Sequence, residues 1–160
     1  IDESFERMHF LLGRFERTAS EFYSENVANN DLFETEPIKK MSKLTDNLLH
    51  AIDYSFVKER RTENFSLYHE KLGKINMLKL REVKGAFAYP LLIENGAEIR
   101  KKLQQQKIYI PTLWPNVVEE MQENSLEYGL AKDILPMPVD QRYGEEDMME
   151  IINSIWRSRK

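Results

Sequence analysis

The sequence predicts an α+β protein in which a helical arm is followed by a small sheet with helices packed on one face. Two observations predict this class. In the first half, apolar residues recur at three-, four- and seven-residue steps, which is helical spacing. In the second half, three short apolar runs alternate with helical segments, and such strands form a small sheet that helices cover. We therefore divide the chain into a helical arm with a connecting helix, residues 1–84, and a small α+β domain, residues 85–160.

Three helical stretches are predicted in the arm. The first carries one apolar stripe, formed by Phe5, Met8, Leu12, Phe15 and Phe22. A polar run at residues 29–31 interrupts it. Ser42 is a candidate N-cap for the second helix and Asp53 for the third, which is expected to end at Gly73. The third helix is dense in charges of both signs, which favours a solvated face with ion pairs at helical spacing.

Six shorter segments alternate in the second half. They are a strand at 86–93, a helix at 97–106, a strand at 108–110, a helix at 117–128, a strand at 134–137 and a helix at 145–157. The prolines at positions 136 and 138 indicate that the last strand lies at an edge of the sheet or ends there.

Composition limits the classes of function. The net charge is −4 with both signs mixed, so neither nucleic acid nor a membrane is predicted as a partner. Cysteine is absent, which excludes disulfides and thiolate metal sites and fits a cytoplasmic location. No apolar run reaches the roughly 18 residues that a membrane helix needs. The first residue is Ile1 rather than Met, so we expect the chain to be a piece of a longer protein.

Familiar catalytic signatures are absent from the sequence. The six glycines are scattered and form no phosphate-binding loop. The three histidines, His9, His50 and His69, stand alone on helical stretches without the spacing of a metal site, which favours surface or packing roles. No catalytic residue and no metal ligand is therefore predicted in this chain.

One loop differs from an ordinary surface segment. Residues 109–115 place Trp114 between two prolines directly after a predicted strand. Loops at strand ends display functional side chains on a rigid scaffold. Two interpretations stay open: Trp114 covers the core of the small sheet, or it lies at a ligand or domain interface.

A second segment, residues 135–144, links the last strand to the final helix through a polar cluster. We expect a turn in which Asp140 and Arg142 satisfy each other and nearby backbone groups, because a guanidinium offers five donors in a fixed fork. The ring of Tyr143 is expected to pack on the last helix. Arg142 is thus predicted to be structural, and the alternative is that it binds a substrate carboxylate.

Three stretches of sequence resemble a known family. They read "ERRTENFSLYHEKL" from residue 59, "AFAYPLLIENGAEIRKKLQQQKIYIPTLWP" from residue 86 and "ILPMPVDQRYGEEDMMEIINSI" from residue 134. In order and spacing they are similar to the C-terminal, small domain of DegT/StrS-type aminotransferases, which depend on pyridoxal phosphate. The similarity extends over roughly residues 40–156. It implies that residues 59–72 form the interdomain helix of a fold-type I enzyme.

The resemblance implies a dimeric transferase whose active site lies at the subunit boundary. Many members transfer an amino group from glutamate or glutamine to a keto-sugar nucleotide, with pyridoxal phosphate as the electron sink. The lysine that holds the cofactor, and the aspartate that pairs with its pyridine nitrogen, have no counterpart in this sequence. Both are expected in a missing N-terminal large domain, so the chain alone should be inactive and without cofactor.

Three residues are candidates for the substrate side of that active site: Trp114, Thr112 and Arg61. Arg61 can meet a carboxylate or phosphate bidentately, or it can form a surface ion pair with Glu63 or Glu70. Thr112 and Trp114 stand where many members carry a histidine-containing phrase. A different carbonyl substrate, or a non-catalytic interaction domain that keeps the fold, therefore stays open. The apolar stripe of the arm further predicts a homodimer or other self-association.

Overall fold

The computed structural model describes residues 4–159, without the side chain of Glu6. It confirms the α+β class, since helices are combined with a two-stranded antiparallel sheet. The chain separates into two compact units, and the division falls between Ile52 and Asp53. Among the described residues, no helix is both long and apolar enough to cross a membrane.

The first unit is helical. It contains two 3₁₀ turns, Glu6–Met8 and Leu32–Glu34, and three α-helices: α1 (His9–Glu16), α2 (Tyr23–Asp31) and α3 (Lys43–His50). Ser42 is the N-cap of α3, as expected, and its Oγ accepts a hydrogen bond from the backbone N–H of Thr45 at 3.1 Å.

The second unit carries both strands. Its elements are α4 (Tyr54–Leu72), β1 (Ala88–Leu92), α5 (Gly96–Gln105), α6 (Pro115–Glu120), α7 (Leu126–Asp133), β2 (Ile134–Pro138) and α8 (Glu145–Ser158). Asp53 caps α4 as expected, because its Oδ1 accepts from the N–H of Phe56 at 3.0 Å, and Gly73 follows the last helical residue.

The boundary predicted after residue 84 differs from the division that the contacts define. Helix α4 supplies Phe65, Tyr68 and Leu72 to the same buried cluster as Tyr89 of β1 and Met137 of β2. A helix that buries its apolar face against a sheet belongs to the unit of that sheet. The connecting helix is therefore part of the α+β unit, and only residues before 53 form a separate helical unit.

The apolar stripe expected in the first unit is mostly exposed. Phe22 is buried, but Phe15 is 92% exposed and Leu12 is 52% exposed, while the second buried apolar residue of the unit is Phe10, outside the stripe. The helices are eight or nine residues long and α1 ends at Glu16, so the stripe does not continue along one helix. The predicted single stripe is thus interrupted by the turn that precedes α2.

The helix predicted at 117–128 is two helices. α6 ends at Glu120, and Met121 has extended backbone angles. Ser125 then starts α7, because its Oγ accepts a hydrogen bond from the N–H of Tyr128 at 3.1 Å. A serine that caps a helix satisfies one of the N–H groups that the first turn leaves unpaired. The cap signal inside the predicted helix explains the break.

The register of the sheet follows from its prolines. Pro90 of β1 lies opposite Pro136 of β2. Because neither residue has an N–H group, this pair belongs to the non-hydrogen-bonded class of an antiparallel ladder. The pairs on either side, Tyr89 with Met137 and Leu91 with Leu135, therefore exchange the ladder hydrogen bonds. All four of their side chains are fully buried in the core of the second unit.

The strand predicted at 108–110 is not a strand in the structure. The outer edge of β1 is occupied by Asn76 and Met77, which bond the N–H and the carbonyl of Leu92. The outer edge of β2 lacks N–H groups at Pro136 and Pro138, so it offers almost no donors to a further strand. Both edges are closed, and Ile110 reaches the core through its side chain alone.

Gly96, the first residue of α5, lies against the end of α7. A Cβ atom added at Gly96 would stand 1.9 Å from the carbonyl oxygen of Asp133. Asp133 also accepts a hydrogen bond from the N–H of Ala97 at 3.0 Å, so its side chain caps α5 from another element. The absence of a side chain at Gly96 is what lets the two helix ends meet.

We predict that Gly96→Ala lowers the free energy of unfolding by about 2–3 kcal/mol, because backbone atoms must move apart to admit the methyl group. Gly129→Ala is the matched control, since a Cβ at this helical glycine of α7 meets nothing within 4 Å. That change should be neutral or stabilise the chain by up to about 1 kcal/mol. Urea unfolding of the two variants measures both effects, and equal stabilities would contradict the close contact.

Candidate functional site

One buried amide joins α4 to the segment before α8. Asn64 lies inside α4 and is 3% exposed. Its Nδ2 donates to three backbone carbonyl oxygens: Val139 at 3.3 Å, Asp140 at 3.1 Å and Tyr143 at 3.2 Å. The two N–H groups of the amide are shared among three carbonyl oxygens of one turn. Each of these carbonyls would cost about 1–3 kcal/mol if it were buried without a hydrogen-bond donor. We call this arrangement the Asn64 clasp.

The Asn64 clasp was not predicted from the sequence. A signal for it was present, because asparagine is unfavourable in a helix interior, where its side chain competes for backbone hydrogen bonds. Asn64 also precedes Phe65, a core residue. A polar side chain next to the buried face of a helix has to find partners across the core, and the partners of Asn64 are more than 70 residues away in the chain.

The turn that Asn64 holds contains the pair expected between Asp140 and Arg142. The guanidinium of Arg142 donates from Nε to Oδ1 of Asp140 at 2.8 Å and from Nη2 to Oδ2 at 3.1 Å. The backbone N–H of Arg142 donates to Oδ1 as well, at 3.1 Å. The guanidinium also lies over the ring of Tyr143, 5.9 Å from its centroid. Tyr143 packs against the core cluster of the second unit.

Burial and the arginines act in opposite directions on the pKa of Asp140. Burial of the carboxyl group raises it, while the hydrogen bonds from the Arg142 side chain and backbone, with the charges of Arg142 and Arg61, lower it. The second effect is larger in sum, so the pKa of Asp140 lies below its usual value. The pKa of Arg142 is raised, chiefly by its bond to Asp140. Both groups are therefore charged at neutral pH, and the pair is intact.

Arg61 forms neither of the ion pairs considered for it. Glu63 is paired with Arg60 at 3.1 Å, and Glu70 with Lys71 at 2.7 Å. Nη1 of Arg61 instead donates to the backbone carbonyls of residues 86 and 87, at 3.0 and 3.3 Å. Arg61 thus ties α4 to the segment that enters β1, and part of its guanidinium is committed to that task.

Thr112 and Trp114 lie in the loop between α5 and α6. Trp114 is the residue before α6 and is 49% exposed, and Thr112 is half-buried. From this loop Ile110, rather than Trp114, enters the core cluster. Among residues 4–159, no hydrogen bond or ring contact joins Thr112 or Trp114 to Arg61. The structure therefore leaves Trp114 available at the surface, and its role at a ligand or domain interface stays a prediction.

The histidines have local partners. Nδ1 of His9 lies 2.9 Å from a carboxylate oxygen of Glu25, and Nδ1 of His50 lies 2.7 Å from the carbonyl of Asp46. His69 stacks on the ring of Phe65. Within the part of the chain that the structure describes, no group of three or more histidine, aspartate or glutamate side chains is arranged to hold a metal ion.

Comparison with known proteins adds no relative. No family model matches the chain, and comparison with curated proteins and with solved structures finds no match.

We predict that Asn64→Asp destabilises the chain by about 3 kcal/mol or more. The substitution keeps the shape of the side chain but replaces its donors with a carboxylate facing three carbonyl oxygens. Asn153→Asp, at an exposed position of α8, is the control and should change the stability by less than about 0.5 kcal/mol. Chemical unfolding measures the free energy of unfolding of both variants. If both lose equally little, the Asn64 clasp does not contribute to stability.

We predict that Arg142→Lys lowers the melting temperature, because lysine keeps the charge but loses the two-pronged bond, which is worth up to about 1 kcal/mol. Arg81→Lys, at an exposed position, is the control and should leave the melting temperature unchanged.

We predict that Asp140→Asn lowers the free energy of unfolding at neutral pH, because it removes the charged partner of Arg142. The pKa of Asp140 is lower in the folded chain than in the unfolded chain. The stability that its charge contributes is therefore lost as the pH falls from the unfolded pKa through the folded pKa, and the difference between Asp140→Asn and the unchanged chain should shrink over that range. A deficit that does not change with pH would contradict the ion pair.

Proposed function

We propose that this chain is the small, C-terminal domain of a pyridoxal-phosphate-dependent aminotransferase of the DegT/StrS type. One observation supports the proposal most directly. The segments 59–72 and 135–144, which carry much of the resemblance, are bonded to each other through the Asn64 clasp. Two of the phrases that carry the resemblance are thus parts of one packed unit, as the small domain of such an enzyme requires.

The proposed substrate is a keto-sugar or a related carbonyl compound, and the proposed site of action is cytoplasmic. Trp114, Thr112 and Arg61 are the residues proposed to face the substrate side. Arg61 is held by backbone carbonyls on one side, which leaves its remaining N–H groups for a ligand or a partner domain. Asp140, Arg142 and Tyr143 are assigned to the structural turn.

The described residues do not fit pyridoxal phosphate by themselves. The cofactor needs a lysine amine for its aldehyde, a carboxylate for its pyridine nitrogen and several donors for its phosphate. Lys58 and Lys84 line a groove, but no carboxylate lines it with them. The buried polar side chains are those of Ser42, Asn64, Ser154 and Ser158, and none is a lysine or a carboxylate. We therefore assign no step of amino transfer to this chain.

The proposed partner is a large domain that supplies the cofactor, within a homodimer. The first unit supports a partner, since its helices and the turn before them leave large apolar side chains exposed: Phe5, Leu11, Leu12, Phe15, Leu44, Leu48 and Leu49. We propose that these side chains belong to one interaction face, which a partner covers. The second candidate function, a non-catalytic interaction domain that keeps this fold, rests on the same exposed side chains.

Borohydride reduction tests the aminotransferase proposal. Mixed with pyridoxal phosphate and reduced, this chain should not acquire a stoichiometric label, because no lysine among the described residues has the required surroundings. A longer protein that contains this chain and the proposed large domain should be labelled on one lysine outside these residues, and glutamate should convert its aldimine absorbance to that of the amine form. A protein with no such label would favour the interaction domain. Stoichiometric labelling within this chain would contradict its proposed part.

In that longer protein, Trp114→Ala should raise KM or lower kcat by up to about tenfold, because a lost aromatic contact is worth roughly 0.5–1.5 kcal/mol and about 1.4 kcal/mol corresponds to a factor of ten. Little stability should be lost, since the side chain is half exposed and outside the core. Leu126→Ala, a large apolar side chain that is 72% exposed on α7, is the control. Unchanged kinetics with a lower melting temperature would assign Trp114 to packing instead.

A further inference from the structure

A groove lined by cations runs between the first turns of α4 and the segment that enters β1. Lys58 and Arg61 approach it from α4, and Lys84 approaches it from the other side. It is an open surface groove of about 480 Å³, flanked by two exposed aromatic rings, Tyr54 and Phe87. Among the described residues that line it, none is a carboxylate. In a chain with a net charge of −4, this is a local concentration of positive charge.

The loop that forms one side of the groove is held in place by several contacts with α4. Gly85 adopts φ +67°, a left-handed conformation that favours glycine. A Cβ at Gly85 would lie 3.1 Å from Cγ of Lys58, so the stem of Lys58 lies directly on the backbone of the loop. The N–H of Gly85 also donates to Oγ1 of Thr62 at 3.0 Å. Together with the two bonds from Arg61 to residues 86 and 87, these contacts hold the loop against α4.

The cationic residues of the groove differ in their carboxylate partners. The charge of Arg61 interacts with the carboxylate of Asp140, but that carboxylate is hydrogen-bonded to Arg142. The described structure places no ion pair or hydrogen bond on the ammonium groups of Lys58 and Lys84. An anion bound in the groove would gain charged contacts with the cationic residues that line it.

We propose that this groove binds a small, multiply charged oxyanion of the phosphate type. The three cationic residues that line the groove, Lys58, Arg61 and Lys84, match an anion that carries more than one negative charge. Lysines act as point charges for phosphate and do not require the planar geometry of a carboxylate. The inference shares Arg61 with the proposed substrate side, but its test concerns Lys58 and Lys84 and needs neither cofactor nor large domain, so the two proposals can fail separately.

Pyrophosphate is the probe, with citrate as a carboxylate anion of similar charge, both at constant ionic strength. Two-dimensional amide NMR of the whole chain should show saturable shifts for residues 54–61 and 84–87 with pyrophosphate. The affinity should fall as sodium chloride is added, since salt screens exposed charges. Citrate should bind several-fold more weakly. Equal binding of both anions would overturn the phosphate assignment, and no saturable shift in the groove would overturn the site.

Three lysine variants test the residues. Lys58→Gln and Lys84→Gln should each weaken pyrophosphate binding about threefold to fivefold, as expected for the loss of one partly exposed charged contact. Lys74→Gln, beyond the other end of α4, is the matched control and should bind like the unchanged chain. Circular dichroism checks that all three variants are folded. If Lys74→Gln weakens binding as much as the groove variants, or if the groove variants bind normally, the proposal is wrong.

Discussion

The second unit depends on the side-chain amide of Asn64. It lies within a helix and holds three carbonyls of the turn between β2 and α8. Burying that turn without donors would cost more than most single contacts return. Because the same helix contributes Phe65 to the core on the adjacent position, polar and apolar contacts fix α4 in one orientation over the sheet. The position of Arg61, and with it the cationic groove, follows from that orientation.

A second constraint comes from proline in the sheet. Pro90 and Pro136 face each other at positions where the N–H groups would point away from the ladder, so the sheet loses no internal hydrogen bond. The prolines instead remove N–H donors from the outer edge of β2, while Asn76 and Met77 occupy the outer edge of β1. A sheet closed on both sides stays at two strands. Helices then provide most of the core, and α4, α5 and α8 all contribute buried residues.

The two units of the chain differ in how far they can stabilise themselves. The second has a continuous core drawn from helices and both strands. In the described part of the first unit, Phe10 and Phe22 are the buried apolar residues, whereas many large apolar side chains are exposed. Short helices are marginal in water without tertiary packing. The first unit therefore presents apolar side chains that a partner would bury, and both proposed functions include such a partner.

Local signals in the sequence determined the class, the capped helix starts at Ser42 and Asp53, the two strands, the closing helix and the Asp140–Arg142 pair. Each depends on residues a few positions apart, whose preferences act before the chain is compact. The tertiary structure decided the rest: the missing strand at 108–110, the unit boundary at Ile52, the carbonyl partners of Arg61 and the Asn64 clasp. These depend on contacts between segments 15 or more residues apart, and periodicity carries no information about such pairings.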